Sequence, residues 1–74
     1  MNDMEILIFK TDINSKADFL QVKKDLTATY NVKECTVDLE DKDKILRIVG
    51  NNLKLSDISF FVNTIGFTCE ELQD

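Results

Sequence analysis

The sequence contains no histidine, no proline and no tryptophan, and only two glycines and two cysteines among its 74 residues. Without histidine, the ordinary serine or cysteine triads and imidazole general bases cannot be assembled within the chain, so no enzymatic activity is expected. The same absence, with Cys35 and Cys69 far apart, removes the usual zinc arrangements. Gly50 and Gly66 are too few for a phosphate-cradling loop, and a turn or helix cap accounts for each. The longest apolar runs, such as Ile6 to Phe9, are far too short to span a bilayer. The start Met1-Asn2-Asp3-Met4-Glu5 lacks the basic segment of a signal peptide. A cytoplasmic protein is therefore expected, in which the one possible disulfide would be kept reduced.

Positive charge is also in short supply. Nine Lys and Arg against fourteen Asp and Glu leave a net charge of −5 and a pI near 4.5. Nucleic acid and anionic lipid are bound mostly by cations, so neither is an expected partner, whereas a basic protein is compatible. What is present, 43% hydrophobic and 31% charged residues, suits one small folded domain over residues 1–74. Its core is expected to leave a net stability of only a few kcal/mol.

Glu5 to Lys10 is short, β-rich and apolar on both alternations, which predicts a strand inside a sheet. Phe19, Val22, Leu26 and Tyr30 then recur at steps of three and four, predicting a helix from about Lys16 to Tyr30 with Asn31 as a left-handed stop. Lys33 to Leu39 alternates cleanly and reads as a half-buried strand with Cys35 turned to the core. A charged turn, Glu40 to Lys44, leads into a third strand from Ile45 to Val49, ended by Gly50-Asn51-Asn52. Ser56 opens a second helix carrying Ile58, Phe61, Val62 and Ile65, with Leu55 placed to staple against Phe60 and Gly66 closing the helix. Phe67 to Glu70 reads as a last short strand.

The order β-α-β-β-α-β is that of an α+β, ferredoxin-like sandwich: a four-stranded antiparallel sheet of order 4-1-3-2 with two helices on one face. Its central strands are then the two apolar runs. Cys35 and Cys69 fall on opposite edges, roughly three strand spacings of about 4.8 Å apart, beyond the reach of about 7 Å that a disulfide allows, so two free thiols are expected.

Several dispersed positions carry a resemblance to a known family. Val22-Lys23-Lys24-Asp25-Leu26 matches a V-x-x-x-L on the first helix, and Asn31-Val32-Lys33 stands where Gly-Val-x is usual. Val37-Asp38-Leu39-Glu40 matches a V-D-L-E strand ending, and Ile65-Gly66-Phe67 matches a late Gly-Phe turn. In these, over almost its whole length, the chain resembles the heavy-metal-associated domains of copper chaperones and metal-transporting ATPases. The resemblance implies a soft-metal M-x-C-x-x-C loop between the first strand and first helix. Here that loop reads Ile13-Asn14-Ser15-Lys16-Ala17-Asp18, so Ser15 and Asp18 occupy the places of the two thiolates and Ile13 that of the Met. A hydroxyl and one carboxylate are poor ligands for Cu(I), and no metal or other cofactor is expected at the loop. Ser15-x-x-Asp18 has instead the form of a capping box. Cys69, two residues after the Gly-Phe turn, is the alternative ligand: with thiols from a partner or second protomer it would bind Cu(I) or another soft metal weakly.

If Leu7 and Phe9 face the helices, as their match to the family implies, Ile6 and Ile8 face outward, and in the third strand Ile45, Arg47 and Val49 do the same. A slip of one residue would swap the faces of that strand yet still leave β-branched residues outside. Ile6, Ile8, Ile45 and Val49 are therefore the expected contact residues for a protein partner or second protomer on the open sheet face. The acids from Asp38 to Asp43 and at Glu70, Glu71 and Asp74 would steer a basic partner to it. The expected function is that of a binding module that has given up the metal. The alternative is a copper-chaperone-like carrier working through Cys69.

Overall fold

In the computed structural model, which describes residues 4–72, the chain runs β1 (Met4–Thr11), α1 (Lys16–Thr29), β2 (Val32–Asp38), β3 (Ile45–Asn51), α2 (Leu55–Thr64) and β4 (Cys69–Glu71). The strands form one antiparallel sheet in the order β2-β3-β1-β4, the expected 4-1-3-2 order. The two runs that are apolar on both alternations, β1 and β3, are indeed the central pair.

Register explains the core. Leu7 lies opposite Ile48 and Ile48 opposite Cys35, while Phe9 lies opposite Leu46 and Leu46 opposite Val37. Opposed residues share a face, so these side chains form the floor beneath the helices. Phe9, Leu46 and Ile48 are fully buried and Leu7 half-buried. Val22 and Leu26 on α1, and Ile58 and Val62 on α2, each four residues apart, close the core from above. Across the helix layer the Tyr30 and Phe61 rings meet edge to face, with centroids 5.4 Å apart at 89°.

Four local expectations are corrected. Asn31 is not a left-handed stop: among the described residues the left-handed ones are Lys44, Asn52 and Gly66. α1 ends at an extended Tyr30, whose amide donates to the Leu26 carbonyl at 2.8 Å, and the chain passes directly into β2. Gly50 does not end β3 but lies within it, where the Asn51 amide donates to the Asn31 carbonyl at 3.1 Å. α2 begins at Leu55 with Lys54 as its N-cap, so Leu55 is inside the helix and Phe60, 74% exposed, is not stapled to it. β4 begins later than Phe67 because the Phe67 amide still donates to the Val62 carbonyl at 3.2 Å and the Thr68 amide is taken by Asp12. Gly66, at φ 112, closes α2 as expected. No described helix is long and apolar enough to cross a membrane.

Candidate functional site

The loop from Asp12 to Ser15 joins β1 to α1 and is held at its base from two sides. Buried Thr11 donates its hydroxyl to the Lys44 carbonyl at 2.6 Å and accepts from the Ile13 amide at 3.2 Å, while its own amide donates to the Asp43 carbonyl at 3.0 Å. These bonds fix the loop to the charged turn after β2, where Lys44 Nζ donates to the Leu39 carbonyl at 2.7 Å. On the other side the Asp12 carboxylate accepts from the Thr68 amide at 2.8 Å, tying the loop to the turn before β4. Ile13 is fully buried under the loop.

Ser15 is the N-cap of α1. Its backbone is extended, with φ −142 and ψ 159, and its Oγ accepts from the Asp18 amide at 3.1 Å. That bond satisfies one of the amides a helix start leaves orphaned, and the Asp18 carboxylate sits in the first turn where negative charge complements the helix dipole. Ser15→Ala is expected to lower stability by about 1 kcal/mol, read as a shift in the urea midpoint at unchanged slope. A midpoint equal to that of the parent would show that the cap contributes nothing.

Cys69 lies opposite Thr11 at the foot of this loop, on the core face, and is 9% exposed. Burial pushes its thiol up to about 11, against the opposing effect of Ser59, whose hydroxyl donates to the Cys69 carbonyl at 3.2 Å. Cys35, 3% exposed on β2, is likewise pushed up to about 11 by burial, which outweighs the attraction of Lys23. Both thiols are free and stand on opposite edges of the sheet. A metal-binding cysteine must first lose its proton, and neither is poised to do so. At positions 15 and 18 the donors are a hydroxyl already used by the helix and one carboxylate, and the other carboxylate nearby, Asp12, is bound to the Thr68 amide, a set that does not fit a soft cation. Among the described residues no three His, Cys, Asp or Glu side chains converge on a common point.

On the opposite side of the sheet, register places Ile6 opposite Val49 and Val49 opposite Glu34, and Ile8 opposite Arg47 and Arg47 opposite Thr36. Ile6 is 56% exposed, and Ile8 and Ile45 are half-buried. Val49 faces the same way but is only 7% exposed, because it sits mid-sheet between Ile6 and Glu34, so it does not belong to the accessible patch. Met4 and Leu72 extend that patch instead; the Leu72 amide donates to the Ile8 carbonyl at 2.9 Å, continuing the β4 pairing. Met4 lay just outside the apolar run read as a strand, and Leu72 sits in an acidic tail, so neither was singled out by pattern. Lys10 and Arg47 on this face are paired, with Asp43 at 3.7 Å and Glu34 at 3.6 Å.

Comparison with solved structures places this architecture. Oxidized MerP from Ralstonia metallidurans CH34 superposes with a TM-score of 0.79 over 96% of this chain and 100% of that one, at 12% sequence identity. The two share the heavy-metal-associated, ferredoxin-like fold. No protein-family model and no curated protein matches the sequence. At this identity the likeness to MerP concerns the backbone path, and the chemistry of the loop rests on the residues described above.

Proposed function

We propose that this chain is a heavy-metal-associated-like domain that has lost the soft-metal thiolate pair and works in the cytoplasm as a protein-interaction module through its open sheet face. The observation that carries the reading is the employment of the first loop: Ser15 caps α1, Asp12 and Thr11 hold the loop to its neighbours, and both cysteines are in the core. On the open sheet face Ile6, Ile8, Ile45, Met4 and Leu72 form an apolar patch on an acidic molecule, whereas Leu20 and Phe60 are exposed on the helix layer. Its partner is a protein with an apolar centre and a basic rim, because apolar burial supplies the contact and a net charge of −5 steers the encounter.

Photo-cross-linking from position 6, with position 20 on the helix layer as the control, tests the proposal. A basic protein is expected to cross-link from position 6 and not from position 20, and in purified form to bind the parent at least about tenfold more tightly than it binds Ile6→Glu. Equal cross-linking at both positions, or none at position 6, contradicts the proposal.

A further inference from the structure

The free edge of β2 offers a second surface with its own chemistry. Backbone directions follow from the register: the Leu72 amide donates to the Ile8 carbonyl, so Ile8 points its polar groups toward β4 and its neighbours Leu7 and Phe9 point theirs toward β3. Ile48 and Leu46 answer them, which leaves Arg47 and Ile45 bonded to Thr36 and Asp38 on β2. Cys35 and Val37 therefore direct their N–H and C=O groups outward, beyond the last strand of the sheet. The residues between and beside them, Glu34, Thr36 and Asp38, are exposed and lie on the open face.

We infer that this edge accepts an extended basic segment of a partner protein as a fifth strand. A segment paired antiparallel to Cys35 and Val37 sets a residue opposite Glu34 and another, four positions away, opposite Asp38, both on the open face. Lys or Arg at those two positions, with apolar residues opposite Cys35 and Val37, gives the pattern basic-apolar-x-apolar-basic. A second copy of this chain does not fit: of the antiparallel registers open to β2 against itself, one sets Glu34 opposite Asp38, those about Glu34 and Asp38 set each acid opposite itself, and those about Cys35 and Val37 form no ion pair. The β-bulge between Val32 and Glu34 confines the regular edge to Glu34–Asp38, five residues, matching the length of the pattern.

The inference stands independently of the patch at Ile6, and the test separates the two. The probe is the peptide Thr-Lys-Val-Thr-Val-Lys-Thr, compared with a version N-methylated at both valines and with one carrying Glu for Lys. Binding is read by amide exchange and by anisotropy, on the parent, on Ile6→Glu and on Glu34→Lys. The parent and Ile6→Glu are expected to bind the basic peptide equally, with exchange at the Cys35 and Val37 amides slowed at least about tenfold. N-methylation, charge reversal of the peptide, or Glu34→Lys is each expected to weaken binding by about tenfold or more. Absence of binding up to about 1 mM, equal binding of the N-methylated peptide, or protection confined to other residues overturns the inference.

Discussion

Replacing Gly50 by alanine is expected to cost about 3 kcal/mol, most of what a domain of this size has to spare. The Asn51 amide donates to the Asn31 carbonyl at 3.1 Å and draws the start of β2 against the end of β3, beside the bulge between Val32 and Glu34. A Cβ on Gly50 would lie well inside van der Waals contact of the Asn31 carbonyl oxygen and 3.0 Å from Leu53 Cδ1. The Asn31 carbonyl cannot turn aside as a side chain could, and Leu53 has little room to shift. The carbonyl is backbone held by a hydrogen bond, and Leu53 is buried with its amide donating to Glu5 Oε1 at 2.8 Å. Thermal melts should show Gly50→Ala falling by roughly 15 °C. Gly66→Ala, where φ is 112 but nothing lies within 4 Å of the added carbon, should lose only the backbone strain of about 1 to 2 kcal/mol. A Gly50→Ala protein melting within a few degrees of the parent would refute the close approach.

That glycine also marks where reading the sequence stops. The three-four spacing of Val22 and Leu26 was enough to place a helix face, because burial writes a period into the chain, whereas the runs Glu5–Lys10 and Ile45–Val49, apolar on both alternations, marked central strands without choosing a face, and Leu7 and Phe9 were set on the core floor by the family resemblance. Gly50 read as a turn because its reason for being glycine, the carbonyl of Asn31, lies nineteen residues away in the chain and becomes a neighbour only after folding. Asn31 read as a left-handed stop for the same reason, since its carbonyl has a long-range use that local pattern does not carry. In the loop, Ser15 with Asp18 was legible because a cap is a local device. The bonds of Asp12 to Thr68 and of Thr11 to the charged turn join distant segments and were not. Val49 was correctly set on the open face, yet its burial depends on flanking strands that alternation does not describe.

Alkaline pH should weaken the fold through the two cysteines. Each thiol is raised from 9.0 to about 11 by burial. A proton held more tightly in the folded state than in the unfolded one stabilises the fold fully below pH 9, and that contribution is lost as pH rises through the folded value. Each thiol then withdraws about 2 kcal/mol by pH 11, and together they remove most of a small domain's stability. Urea midpoints measured from pH 8 to 11 should fall steeply above pH 9, and Cys35→Ala and Cys69→Ala should each flatten that slope, separating the thiols from other groups that titrate in the window. Slopes unchanged in both variants would show that the thiols are not protected by burial. The same protection makes alkylation of the native protein slow at neutral pH, since the thiolate is the reactive form.

Ser15 caps α1 at a position where the resemblance to heavy-metal-associated domains implies a thiolate, and the proposed reading is that the loop holds no soft metal. The most direct measurement is a Cu(I) competition titration against a chromophoric chelator under reducing conditions, on the parent, on Cys69→Ala and on Ser15→Cys/Asp18→Cys. Two thiolates three residues apart at the start of α1 suit Cu(I), so the double-cysteine protein is expected to compete for the ion while the parent and Cys69→Ala leave it with the chelator. If the parent itself takes Cu(I) and Cys69→Ala does not, the account is wrong and the domain is a metal carrier whose thiol stands at the end of the sheet rather than in the loop.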